Sequence, residues 1–310
     1  MINETICSTK FMKLPLLRTA VFHLIIMLIS WAALHSQTLE KIVANIGGRS
    51  ITGALGQAAL APNGDRFAFT DRFANKIYIL DFDGSLLWAV GENQALNRPL
   101  AVCFNHEDEL LFANERSQSV MRVSEKDSHK IDTIANLGEI IGAKENISQI
   151  IKQNDSSFLL LGEKSGKIYL FDNNWKFLKT FIEHGQGKGK LVMPTQMAFA
   201  ISGNMIVSDR KNYPVQIFDR DGKFLFYAGW GEPRLERGWE ASAIGVDSRD
   251  IIYVADLTNN KFRMFDQSGH EIGTYPFDAG MTLPISIVMS VNNKMIVLDE
   301  KNGIFIYSFS

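Results

Sequence analysis

Short apolar runs separated by polar turns recur along the chain, and the segment Val207–Phe226 shows their pattern. An apolar run is followed there by polar loop residues, a second strand-like run at Val215–Phe218, a turn and a returning run at Phe224–Phe226. The turn Asp219–Gly222 favours a tight connection, because Asp bonds to nearby backbone and Gly accepts a positive φ. With the preceding run Pro194–Ala200, the pattern predicts one unit of four antiparallel strands.

The same unit recurs along the chain with small changes of length. Its clearest second copy is Ala243–Tyr275, and other copies keep the strands with altered turns. A polar residue ends the second strand of each of the six copies, at Asp71, Asn114, Glu163, Asp209, Asp256 and Asp299. Successive copies are therefore about 43 to 49 residues apart, a spacing typical of propeller blades. The prediction is an all-β fold, a six-bladed β-propeller of four-stranded antiparallel blades.

Two of the copies carry a recognisable motif. The sequences VSDRKNYPVQIFDRDGKF and YVADLTNNKFRMFDQSG, with the approach His184–Pro194, resemble NHL repeats. The fourth and fifth copies match well, whereas the second, third and sixth lose much of the motif. NHL repeats build six-bladed propellers, so the resemblance implies that fold for residues 37–310. It implies a fold rather than one activity, because one fold can host many functions.

The two ends of the repeat region predict how the ring closes. The last copy has three strands, Ile285–Ser290, Met295–Asp299 and Ile304–Phe309, and lacks a fourth. The segment Leu39–Gly47 precedes the first full copy and resembles the fourth strands of the other copies. We therefore expect this N-terminal strand to complete the last blade, because an unpaired edge strand is open to aggregation.

Residues 1–36 stand outside the repeats and have the character of a signal peptide. Three basic residues precede an apolar run at Ala20–Leu34, which is short for a membrane span. We predict a secreted or periplasmic protein, with cleavage near Ala33–Ser36. The alternative is an uncleaved membrane anchor that holds the propeller outside the cytoplasm. Removal of the segment leaves Cys103 as the single cysteine, so no internal disulfide is expected.

Propeller topology puts the second-to-third-strand loops and the blade-to-blade connections on one face, which we call the top. The other turns lie on the opposite face, the bottom, which is richer in acidic residues. Two top connections are long: Glu183–Pro194 is Gly-rich, and Gly229–Glu240 contains Trp and Arg, which are enriched in binding hot spots. The expected contact residues are His184, Lys188, Lys190, Arg210, Trp230, Arg234, Arg237 and Trp239. Either tryptophan could instead pack between blades.

The predicted function is a binding or scaffold module that takes a protein, peptide or glycan through the top face. We expect a monomer, with membrane contact only if the N-terminal segment is retained. The net charge of -2 gives no case for nucleic-acid binding.

The alternative function is a metal-dependent hydrolase or lyase with its site at the top of the central channel. Lactonase-like and amidating-lyase-like enzymes on similar propellers suggest it. Of the mature histidines only His184 is expected on the top, so a three-histidine zinc site is not predicted. The repeated Asp residues have the oxygen ligands that calcium prefers, although a repeated turn cap explains the same pattern.

Overall fold

The structure, a computed structural model, describes residues 37–51, 54–91, 96–124, 130–142, 144–229 and 238–309. Leu39–Ser308 form one compact unit, and the fold below is the fold of that unit. The second unit comprises Met1–Thr38 and Phe309–Ser310, and its described residues are the ends of two strands. The predicted signal peptide, 1–36, lies outside the described residues. No helix in the described ranges is long and apolar enough to cross a membrane.

Six antiparallel sheets of four strands form the blades, which confirms the predicted fold class. Before the first blade come β1 (Gln37–Val43), β2 (Asn45–Ile46) and β3 (Arg49–Ser50). The first blade contains β4 (Leu55–Leu60), β5 (Arg66–Asp71), β6 (Lys76–Asp81) and β7 (Leu86–Val90). The second contains β8 (Pro99–Phe104), β9 (Leu110–Asn114), β10 (Ser119–Ser124) and β11 (Lys130–Asn136). One short helix follows it, α1 (Leu137–Ile141).

The next three blades repeat the arrangement in chain order. The third blade contains β12 (Ile147–Asn154), β13 (Ser157–Gly162), β14 (Lys167–Asp172) and β15 (Phe177–Ile182). The fourth contains β16 (Pro194–Phe199), β17 (Met205–Asp209), β18 (Val215–Phe218) and β19 (Phe224–Tyr227). The fifth contains β20 (Ala241–Val246), β21 (Ile252–Asp256), β22 (Lys261–Phe265) and β23 (Glu271–Pro276). The first strand of each blade is the innermost and faces the central channel.

The sixth blade closes the ring with a strand from the other end of the chain. Its own strands are β24 (Pro284–Met289), β25 (Lys294–Asp299) and β26 (Gly303–Phe309). Strand β1 lies beside β26, which confirms the predicted closure with the closing strand at Gln37–Val43. The ammonium of Lys294 lies 3.1 Å from Glu40 on β1 and 2.9 Å from Asp83 in the first blade.

The hydrophobic core lies between neighbouring blades, because alternate side chains of a strand face opposite sides of the sheet. Phe67 and Phe69 of the first blade pack with Ile296 and Leu298 of the sixth. Similar clusters join the first and second, second and third, third and fourth, and fourth and fifth blades. Packing between consecutive blades therefore orients every inner strand toward one axis.

The third blade corrects the predicted repeat at one position. Gly162, not Glu163, ends its second strand, because Gly162 pairs with the first residue of the inner strand, Ile147, as Asp209 pairs with Pro194. In all six blades the residue after this position donates its backbone N–H to the carbonyl of the residue that precedes the inner strand. The six donors are Arg72, Glu115, Glu163, Arg210, Leu257 and Glu300. These six residues form an equivalent set on the top face.

Candidate functional site at the mouth of the central channel

Every innermost strand carries a β-bulge close to the top of the channel. In each blade the pairing register slips within the first residues of the inner strand, as between Pro194 and Gln196. A bulge bends its strand and re-aims a side chain. Residues of these bulges line the mouth of the channel: Gly56, Gln57, Leu100, Ser148, Thr195, Ser242 and Ile285.

Two buried glutamines bridge the channel below this ring of bulges. Gln149 donates to the carbonyl of Met197 at 3.0 Å and accepts from its N–H at 2.6 Å. Gln196 accepts from the N–H groups of Ile244 and Ile287 and donates to the carbonyl of Ile287 at 2.9 Å. Inner strands have an unpaired edge toward the axis, and these amides satisfy its backbone groups.

A third glutamine completes the floor. Gln57 donates to the carbonyl of Thr195 on the opposite blade at 3.0 Å and to that of Ile285 at 2.9 Å. Its side chain is 8% exposed, and its Oε1 atom has no hydrogen-bond partner among the described residues. Gln57 therefore links the first blade to the fourth and the sixth across the axis, and its amide oxygen is buried.

Four charged side chains surround the mouth above the bulges. Arg72 and Arg210 belong to opposite blades, as do Glu163 and Glu300. Arg72 lies 3.6 Å from Glu300, and Arg210 lies 3.1 Å from Glu240. The hydrogen bond from Arg210 lowers the pKa of Glu240 below its usual value. The Nε atoms of both arginines are buried without a hydrogen-bond partner in the described part of the chain.

The mouth encloses about 220 Å³ between this rim and the glutamine floor. Small-molecule sites usually enclose about 300 to 1,000 Å³. The space therefore suits a single side chain or sugar unit better than a large compound. It presents guanidinium donors and carboxylate acceptors to whatever enters, so it favours a polar group with both donors and acceptors.

A second depression adjoins the mouth on the top face. It encloses about 370 Å³ between the fourth and fifth blades. Arg210 lines both spaces, and Gln186, Lys211 and Asn212 line the second one. A larger partner bound over the mouth would therefore also cover this depression.

The connection 183–194 forms a loop beside this depression that is held by hydrogen bonds. Asn212 donates to the carbonyls of Gly187 and Lys190 at 2.8 and 2.7 Å, and Gln216 accepts from the N–H of Gly189. Gly187 and Gly189 adopt φ angles of 97° and 75°, which other residues rarely reach. Blade four therefore holds the loop in one conformation.

The loop presents its predicted contact residues to solvent. His184, Lys188 and Lys190 are exposed. The ammonium of Lys188 lies 5.3 Å from the ring centre of Tyr227, which itself stacks on Tyr213. The three side chains therefore belong to an exposed loop, of which Gln186 lines the second depression.

Trp239 lines the second depression and is otherwise largely buried. Its indole is 5% exposed and stacks on Phe265, with ring centres 6.2 Å apart. The guanidinium of Arg263 lies 4.8 Å from the same ring. Most of its surface therefore packs between the fourth and fifth blades, and its contact role stays a prediction. Trp230, Arg234 and Arg237 lie outside the described residues.

Sequence reasoning included Arg210 but missed the other rim residues, Arg72, Glu163 and Glu300. They share one signal, which is the position directly after the residue that ends each second strand. Gln57 and Gln196 also went unnoticed, because a polar residue in an inner strand looks like a solvent-facing one. Only closure of the ring makes these positions converge.

The repeated aspartates cap backbone rather than converge. Asp209 accepts hydrogen bonds from the N–H groups of Val192, Met193 and Lys211, and Asp299 caps the sixth blade in the same way. This arrangement matches the turn-cap interpretation of the repeat. Within the described ranges, no group of three or more His, Cys, Asp or Glu side chains could hold a metal ion.

Comparisons with known proteins agree on the architecture. No family model matches the chain. A stretch of 126 residues is 25% identical to Protein brain tumor of Drosophila melanogaster. This stretch covers 39% of this chain and 12% of that protein. The chain therefore spans a small part of the curated relative it matches.

Solved structures give a broader likeness. A putative gluconolactonase has a TM-score of 0.66 and 13% identity, over 91% of this chain and 96% of the other. Virginiamycin B lyase from Staphylococcus aureus has a TM-score of 0.56 and 13% identity, over 89% of each chain. A Bacteroides thetaiotaomicron protein of unknown function has a TM-score of 0.66 and 12% identity, over 89% of this chain and 76% of the other. At these identities the likeness concerns the fold, a six-bladed β-propeller with gluconolactonase-like neighbours and a partial NHL resemblance.

Proposed function

We propose that this chain is an exported, monomeric binding propeller that takes a protein, peptide or glycan on its top face. One residue or sugar unit of the partner enters the mouth of the channel, and the rest lies over the second depression. The observation that carries the proposal is the mouth itself, which encloses about 220 Å³ above a glutamine floor and below a charged rim.

The chemistry of the mouth sets what the entering unit must offer. Glu163 and Glu300 have accessible carboxylates at the rim, so the unit should donate hydrogen bonds there. The guanidinium groups of Arg72 and Arg210 are partly exposed, so the unit should also accept hydrogen bonds at the rim. A polar side chain or a hydroxylated sugar can do both.

The surrounding contacts keep the site in place before a partner arrives. Arg72 and Arg210 are each fixed by a carboxylate, and the loop 183–194 is held by hydrogen bonds from the fourth blade. A site that is already ordered loses little conformational entropy on binding. The predicted outer contacts remain His184, Lys188, Lys190, Trp230, Arg234, Arg237 and Trp239.

Selection on defined libraries tests the proposal. The protein is screened against a glycan array and a random heptapeptide phage library, and the strongest binders are measured by calorimetry. Replacing both Arg72 and Arg210 by Ala should weaken those binders by about 10- to 100-fold, the range expected when anchoring arginines are lost. The matched control replaces Arg116 and Lys164, two exposed top-face cations outside the mouth.

Two results would contradict the proposal. The first is equal loss of affinity in the Arg116→Ala, Lys164→Ala control, which would indicate general charge attraction to the top face. The second is unchanged affinity in the Arg72→Ala, Arg210→Ala variant, provided that its unfolding temperature matches that of the wild type.

A further inference from the structure

Below the glutamine floor the channel opens into an apolar chamber that the proposed top-face function does not use. The chamber encloses about 350 Å³, and inner-strand residues such as Leu60, Phe104, Val246 and Met289 line it. An apolar cavity of about 150 Å³ is large enough to bind benzene, so this chamber has room for an alkyl chain. Lys152 is the one charged residue among the described residues that line it.

A cleft on the bottom face adjoins this chamber between the third and fourth blades. It encloses about 470 Å³, and three cations line it, Lys152, Lys179 and Arg220, against one carboxylate, Asp221. Lys152 and Phe199 line both the chamber and the cleft. The apolar space therefore leads into a basic one at a shared wall.

Two of the three cations are available for a ligand. Lys152 lies 2.8 Å from Asp155, but neither Lys179 nor Arg220 has a carboxylate partner among the described residues. The ammonium of Lys179 sits 5.2 Å from the ring centre of Phe181, within cation–π distance. The carbonyl of Arg220 accepts a hydrogen bond from Gln153 at 2.7 Å, which ties the arginine to the third blade.

We propose that the chamber and the cleft together bind a single-chain anionic amphiphile of the fatty-acid class. The alkyl tail occupies the chamber, where burial of apolar surface stabilises it by about 25 cal/mol per Å². The carboxylate lies in the cleft near Lys152, Lys179 and Arg220. Gln149 and Gln196 close the chamber from above, so this site is separate from the mouth on the top face.

Calorimetry with decanoate, below the concentration at which it forms micelles, tests the site directly. We expect saturable binding with one decanoate per chain. Butyrate, which lacks the tail, and decan-1-ol, which lacks the charge, should each bind at least tenfold more weakly. Absence of saturable decanoate binding, or equal binding of butyrate or decan-1-ol, would overturn the proposal.

Variants separate the head-group contact from general charge. Lys179→Glu with Arg220→Glu should weaken decanoate binding at least tenfold. The matched control, Lys176→Glu with Lys223→Glu, makes the same change of charge at exposed bottom-face turns outside the cleft and should bind as the wild type does. Equal affinities for the two variants would overturn the proposal.

A second variant tests the position of the tail. Ala59 lines the chamber, so Ala59→Phe should fill it and abolish decanoate binding. If this core change prevents folding, the Lys179→Glu, Arg220→Glu variant and its control still test the proposal. The Arg72→Ala, Arg210→Ala variant should bind decanoate normally, so failure of the top-face proposal leaves this one intact. If the protein sediments with phosphatidylglycerol vesicles but does not bind decanoate, the cleft binds a membrane surface and the proposal is overturned.

Discussion

The third blade replaces a missing aspartate with a carboxylate from another part of the chain. Gly162 stands where Asp209 ends the equivalent strand, and a Cβ atom at Gly162 would lie 2.8 Å from Oε2 of Glu145. That carboxylate accepts hydrogen bonds from the N–H groups of Asn146, Lys164 and Ser165 at 3.0, 2.9 and 3.2 Å. Glu145 therefore caps this blade as an aspartate caps the others.

The structure sets the cost of removing the cap. The Glu145 residue is 5% exposed, and its loss leaves three backbone donors without their acceptor. Hydrogen bonds to a charged acceptor are worth about 1.5–3 kcal/mol each, and neighbouring ones are not additive. We expect Glu145→Ala to lower the free energy of unfolding by about 2–4 kcal/mol, or the melting temperature by about 4–16 °C.

The informative test is a rescue. Gly162→Asp alone should destabilise by about 1–3 kcal/mol, because its side chain meets the Glu145 carboxylate. The double variant Glu145→Ala, Gly162→Asp should recover most of the lost stability, since the new aspartate reaches the same donors that Asp209 reaches in its own blade. Urea unfolding followed by tryptophan fluorescence measures all four proteins.

Additive effects of the two substitutions would refute this reasoning. A coupling energy of about 2 kcal/mol or more in favour of the double variant supports it. Glu139→Ala is the matched control, because Glu139 is an exposed residue of α1 and should change stability by less than about 0.5 kcal/mol.

Deleting residues 37–46 removes β1 together with buried Val43 and Ile46, worth about 1.5–3 kcal/mol each, and should lower the melting temperature by about 10 °C. An unchanged calorimetric scan would contradict the closing role of β1. Mass spectrometry of the native protein should find a new amino terminus between about residue 33 and residue 38; recovery of Met1 in a membrane fraction would establish the anchor instead. Burial raises the pKa of the Cys103 thiol to about 12, so iodoacetamide at neutral pH should label it far more slowly in the folded protein than after unfolding, and equal rates would contradict the raised pKa.

The sequence by itself determined the blades and their closure. Alternating apolar residues and Asp-Gly turns act over a few residues, so Val207–Phe226 reads as strands and a turn without knowledge of its neighbours. The missing last strand and the spare segment near residue 39 likewise predicted that β1 completes the sixth blade. The burial of Trp239 is not readable from its local sequence, which says nothing of the blade that covers it.

The tertiary structure alone decided which side chains meet. Arg72 and Glu300 are far apart in the chain, and only ring closure brings them together. The same holds for Lys152 and Arg220, which line one cleft where the third and fourth blades adjoin. Strand formation depends on local pattern, whereas the mouth and the basic cleft depend on packing of whole sheets around one axis. Glu145 shows the difference at a single residue, since its carboxylate caps a strand that ends at Gly162.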